Sequence, residues 1–96
     1  MAKDAEHIIA DGKTAERLLA DEVFQAACDA VDRKSTDEWK NSKIEDVKTR
    51  ESAYYTTRAL QRIRIELAVI AEDGKMADHK LKHEQAQREP LRAGRS

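Results

Sequence analysis

The feature that most constrains this chain is a run of expected core-facing positions at Ala53, Thr56, Leu60, Ile63, Leu67 and Ile70. The steps between them alternate three and four, so they fall on one side of an α-helix and make a heptad-like seam. A strand would need alternation with a period of two. Ile65, Ala68 and Val69 widen the apolar stripe toward its C-terminal half. The spacing predicts a helix from about residue 45 to about residue 73, buried on more than one side near its end.

A second periodic stretch precedes it. Val23, Phe24, Ala27, Cys28 and Val31 recur at helical spacing, and Trp39 lies two turns further along the same stripe. They predict a helix over about residues 21–40, with Asp21 as a candidate N-cap. Asn41-Ser42-Lys43 is a polar break between the two helices. Residues 4–10 predict a short N-terminal helix stopped at Asp11-Gly12, after which Thr14 can cap a new turn. Gly74 is the expected stop of the second long helix, because glycine accepts the backbone geometry just past a helix end. Met76 to about Arg88 predicts a short last helix with few apolar anchors. Pro90 and Gly94 point to a flexible tail over 90–96, leaving 1–89 as one helical domain.

Composition agrees with an all-α fold. Charged residues are 39% of the chain and hydrophobic residues 40%, with one proline and three glycines, a balance typical of long helices. Two long helices joined by a short polar turn fold back as an antiparallel hairpin. In this one Phe24, Val31 and Trp39 meet Leu60, Ile63, Leu67 or their neighbours. Such a hairpin of 96 residues has a one-layer core and barely offsets chain entropy. The surplus width of the second stripe therefore calls for more contacts, some from the short N-terminal helix and the rest from self-association or a larger partner.

No reaction chemistry is legible. Gly12-Lys13-Thr14 is like the end of a P-loop, but His7 stands where the motif needs its first glycine, and no strand precedes it. His79 and His83 share a helix face at metal-binding spacing, in a polar segment that reads better as solvated surface. Cys28 lies on the apolar stripe without the positive, partly exposed setting of a reactive thiol. The single cysteine fits a reducing compartment. Asp37-Glu38 and Glu45-Asp46 flank helix ends, where carboxylates complement the helix dipole. The expectation is a protein that is not an enzyme, with no cofactor, no metal and no small-molecule substrate.

Net charge is −1. Lys48, Arg50, Arg58, Arg62 and Arg64 give the second helix a basic flank that can meet nucleic-acid phosphates. Glu45, Glu51 and Glu66 interrupt it, and Arg62 and Glu66 are surface partners four apart. Trp39, Tyr54 and Tyr55 suit an interface hot spot, or else close the open end of the hairpin. The expected interface comprises Phe24, Val31, Trp39, Tyr54, Tyr55, Leu60, Ile63, Ile65, Leu67 and Ile70. No stretch approaches the roughly 20 apolar residues of a membrane span, and Asp4, Glu6 and Asp11 interrupt any signal-peptide pattern.

Weak similarity links His7-Ile8-Ile9-Ala10-Asp11-Gly12-Lys13 with Val69-Ile70-Ala71-Glu72-Asp73-Gly74-Lys75. Two helices each ending at Asp-Gly-Lys account for it more simply than a duplication.

A larger pattern runs from Leu18-Leu19-Ala20-Asp21-Glu22-Val23-Phe24-Gln25-Ala26-Ala27 through Asp37-Glu38-Trp39 and Arg50-Glu51-Ser52-Ala53-Tyr54-Tyr55. It continues to Leu60 and closes on Asp73-Gly74-Lys75-Met76-Ala77. This resembles small helical-hairpin proteins encoded in the head and DNA-packaging gene blocks of tailed bacteriophages and prophages. Those proteins share the paired-leucine opening, a tryptophan ending the first helix and the Asp-Gly-Lys ending of the second. The resemblance covers about residues 15–80 and transfers no site residues. It implies a virion, assembly or packaging context, in the virion or host cytoplasm. The expected role is a structural or assembly protein that contacts itself or a larger head, portal or capsid protein. The alternatives are a packaging factor of the small-terminase kind and a helical inhibitor or adaptor of a host protein.

Overall fold

The computed structural model describes the backbone of residues 4–93 and the side chains of residues 4–88. It contains three helices: α1 (Ala5–Ala20), α2 (Glu22–Asn41) and α3 (Val47–Ala93). Asp4 starts α1 by accepting a hydrogen bond from the His7 N–H at 2.9 Å. Asp21 breaks the first arm. Its extended backbone ends α1, and its side chain accepts from the Phe24 N–H at 2.8 Å to begin α2. Thr14 starts no new turn. It lies inside α1, where its hydroxyl accepts from Arg17.

Ser42 closes α2, donating from both its N–H and its hydroxyl to the Trp39 carbonyl. Across the turn, Asp46 accepts from the backbone N–H and the hydroxyl of Thr49 in the first turn of α3. The pairings along the molecule fix its direction. Trp39 meets Arg50, Asp29 meets Arg64, Glu16 meets Lys75 and Gly12 meets Gly74. From Trp39 through Asp29 to Gly12 the α3 partner rises from Arg50 through Arg64 to Gly74, so α1 and α2 run antiparallel along α3. The result is a rod of 78 × 28 × 17 Å. Its smallest dimension is little more than one helix diameter, as a single layer of helices requires.

Both glycine stops are corrected. α1 passes through Gly12 and α3 passes through Gly74, both with helical backbone and neither with positive φ. The glycines mark where the two helices come closest. A Cβ placed on Gly12 would lie 2.8 Å from the Gly74 Cα, and one on Gly74 would lie 2.8 Å from the Gly12 Cα. The missing side chains are what let the backbones touch. The short first helix therefore becomes a 16-residue helix, and the expected last helix is the continuation of a 47-residue α3. The expected tail is likewise shortened, since α3 extends to Ala93; residues 94–96 lie outside the described residues.

The account of the similar segments changes with them. Ile8, Asp11, Gly12, Lys13, Ala15 and Leu19 recur as Ile70, Asp73, Gly74, Lys75, Ala77 and Leu81. These two segments pack on each other. The Gly74 position faces the Ile8 carbonyl, and the Gly12 position faces the Ile70 carbonyl. The crossing is thus locally two-fold symmetric, and helix termination no longer explains the likeness.

The seam is also rotated from its expected position. The inward positions of α3 are Ala53, Thr57, Leu60, Arg64, Leu67, Ala71, Gly74, Asp78 and Leu81, again in steps of four and three. Ala53, Leu60 and Leu67 belong to both seams. Thr56, Ile63 and Ile70 stand one position round the helix and are exposed. The buried apolar residues are small: Ala15, Cys28, Ala53 and Ala71. Small residues on the shared line draw the helices together, and larger side chains are then displaced to the edges.

Candidate protein-interaction face

The two edges of the layer that α1 and α2 form with α3 differ in chemistry. One edge is held by ion pairs. Lys75 Nζ lies 3.6 Å from Glu16 Oε1, and Arg64 donates to Asp29 at 3.2 Å. Arg64 and Lys75 are eleven residues apart, three helical turns, so they share this side of α3. A shallow depression of about 130 Å³ on it is lined by residues related by the internal repeat: Ile9 and Ala71, Gly12 and Gly74, Lys13 and Lys75, Glu16 and Asp78.

The other edge is an open groove of about 370 Å³. Ile8, Ala15, Leu18, Leu67 and Ile70 line it, with Asp11, Thr14 and Asp73 at its margin. Leu18 is 41% exposed and Ile70 38%. Ile63, seven residues before Ile70, continues the same side of α3 and is 53% exposed. Burial of such side chains yields about 1.5–3 kcal/mol each, so this strip is a strong candidate for further contact.

The expected interface residues scatter over four places. Ile63 and Ile70 lie on the open edge, with Leu60 and Leu67 half-buried behind them. Phe24 is half-buried and Val31 exposed on α2. Ile65 lies on the far side of α3 with Val69 and Met76, all exposed. Trp39, Tyr54 and Tyr55 gather at the turn end. There the Arg50 guanidinium stacks 4.9 Å over the Trp39 ring, and the two tyrosines meet edge to face at 5.6 Å. Trp39 packs beside Ala53, Tyr54 and Thr57, closer to the turn than Leu60. Ile8 and Leu18, which line the groove, are not among the expected interface residues. Their signal was the continuation of α1 through Gly12, hidden by reading that glycine as a stop.

The basic residues do not form one surface. Arg50 is engaged with Trp39, and Arg64 with Asp29. Arg58 and Arg62 are four apart on the outer side of α3, and Lys48 is exposed near the turn. His83 bonds Gln87. Among the described residues no group of three or more possible ligands could hold a metal ion, and Cys28 is buried and unpaired. Among the described residues no helix is long and apolar enough to cross a membrane.

The fold and this face define a small all-helical protein with one ion-paired edge and one apolar edge. No known protein family, curated protein or solved structure matches the chain.

Proposed function

We propose that this protein is a structural or assembly component that works by protein–protein contact through the apolar edge of α1 and α3. The observation that carries the reading is the open line of Ile8, Leu18, Ile63 and Ile70 beside a seam of alanines and glycines. A core whose buried apolar residues are this small gains little from its own packing. Covering the open edge adds the missing burial.

The setting we propose is the assembly of a tailed-phage head, as the sequence resemblance implies. The contact is then made with copies of the chain or with a larger head, portal or capsid protein, in the virion or the host cytoplasm. The proposal assigns no catalytic step, cofactor or membrane contact. Direct DNA packaging is the weaker reading, because Arg50 and Arg64 are already engaged within the chain.

The test is the Ile63→Lys, Ile70→Lys double variant expressed during phage production. Virions or head intermediates should contain the wild-type chain by mass spectrometry and lack the variant, while circular dichroism shows the variant still helical. Equal incorporation of both would refute the reading.

A further inference from the structure

We infer that the Gly74 face of α3 is a pairing surface for the same face of a second copy, and that α1 covers it in the single chain as an internal stand-in. This goes beyond the apolar-edge reading, because it concerns the face that α1 already occupies.

The occupant is visible in the structure. α1 lies on the Gly74 face and brings α3's own residue types to it. Ile8, Asp11, Gly12, Lys13, Ala15 and Leu19 recur in the same order and spacing as Ile70, Asp73, Gly74, Lys75, Ala77 and Leu81. Glu16 recurs as Asp78, which keeps the charge. So the helix seated on this part of α3 is close to a copy of it.

The observed crossing fixes the symmetry axis. A Cβ on Gly12 would meet the Gly74 Cα at 2.8 Å and the Ile70 carbonyl at 3.2 Å. A Cβ on Gly74 would meet the Gly12 Cα at 2.8 Å and the Ile8 carbonyl at 3.1 Å. Since Ile8 and Gly12 correspond to Ile70 and Gly74, these contacts exchange under a two-fold rotation, as those of an isologous interface do. A face that packs on its own sequence in this way is complementary to itself. Setting the same stretch of a second α3 in place of α1 keeps the axis, with Gly74 against Gly74 and each beside the Ile70 carbonyl of the other copy.

Charge follows the same axis. Lys75 Nζ lies 3.6 Å from Glu16 Oε1, and Lys13 and Asp78 line the same depression. In an α3 pair Asp78 stands where Glu16 stands, so each Lys75 meets Asp78 of the other copy. Asp78 also holds Lys82 of its own helix at 3.0 Å. A carboxylate has acceptor sites for both ammonium groups.

Helix length selects α3 over α1 for the pairing. A released α1 is a 16-residue helix cut off by the extended backbone of Asp21, close to the length at which isolated helices are marginal in water. The Gly74 stretch instead propagates from a 47-residue helix that also packs on α2. Propagation avoids the cost of a new nucleus. While α1 is docked, its tether gives it an effective concentration of about a millimolar, and it outcompetes a second copy. Withdrawing α1 about Asp21 uncovers the face. The chain thus keeps a self-association surface covered until α1 is displaced.

The experiment uses the full chain in size-exclusion chromatography with light scattering. Gly12→Leu expels α1 from the crossing and leaves α3 unchanged. Gly74→Leu breaks the same contact from the other side and also spoils the α3 face. Gly12→Leu should return twice the mass of Gly74→Leu, and the double variant should match Gly74→Leu. Both single variants displace α1, so neither lost stability nor contact through the apolar edge produces that difference. A second set changes only exposed charges. Lys13→Glu with Glu16→Lys sets like charges against Asp78 and Lys75 and should double the mass of the wild type. Adding Lys75→Glu with Asp78→Lys matches α1 to α3 again and should restore the wild-type mass. Equal masses for the two glycine variants overturn the inference while circular dichroism shows both helical. If Gly12→Leu loses its helices, the charge set decides alone, and an unchanged mass there overturns it. Either failure leaves the apolar-edge reading standing, because virion content tests that reading with Gly12 and Gly74 in place.

Discussion

Gly12 and Gly74 pack backbone to backbone, so close that a Cβ on either would sit 2.8 Å from the Cα of the other. Alanine in a helix is ordinarily about 1 kcal/mol better than glycine. Here the added methyl meets main chain, which has no rotamer to escape into. Overpacking of this kind costs about 1–3 kcal/mol and exceeds the propensity gain. Gly12→Ala and Gly74→Ala should each lower stability in urea unfolding. Because both act on one contact, the double variant should cost less than the sum of the two. A stabilised single variant would show that the helices do not approach this closely.

Asp21 ends one helix and begins the next. Its carboxylate takes the Phe24 N–H that α2 leaves without an intrahelical partner. Asp21→Ala should cost about 1 kcal/mol, and Asp21→Asn or Asp21→Ser much less. Chemical denaturation followed at 222 nm would measure it. Equal effects of alanine and asparagine would rule out capping as the cause.

Asp4 supplies a pH dependence. The backbone N–H of His7, and then its ring, hold the Asp4 carboxyl below its usual value. A carboxyl lowered on folding contributes stability above its unfolded pKa and loses it as pH falls through the folded one. Helicity at the start of α1 should therefore decline only in acid, below the ordinary carboxylate range. Asp4→Asn should remove that acid-dependent component. Amide exchange of the first turn of α1 against pH would reveal it, and an unchanged profile in Asp4→Asn would locate the effect elsewhere.

The stacking of Arg50 on Trp39 predicts an optical effect. Arg50→Ala should change the emission of the single tryptophan, with a loss of about 0.5–1 kcal/mol at such an exposed site. Arg58→Ala, on the outer side of α3, should leave the emission unchanged. If the two variants behaved alike, the stacking would not persist in solution.

Much of the helical framework was legible in residue types. Alternating steps of three and four, and the polar break at residues 41–43, marked two long helices. Asp21 was readable as a cap because its side chain acts on backbone three residues away, a local event. The site was only partly legible. The apolar stripe through Leu60, Ile63, Leu67 and Ile70 was expected, but its division between an inner line and an open edge was not. Ile8 and Leu18 were not expected beside it.

By itself, then, the sequence determined that the chain is helical and that α3 carries more apolar width than one neighbouring helix can cover. Tertiary structure decided two matters. It made Gly12 and Gly74 a helix crossing, because a glycine looks the same locally whether it ends a helix or lets another helix approach. It also turned α3 so that Ala53, Ala71 and Gly74 face inward while Ile63 and Ile70 do not. Periodicity defines the stripe, but the closest approach of two backbones selects the small residues within it for the line of contact.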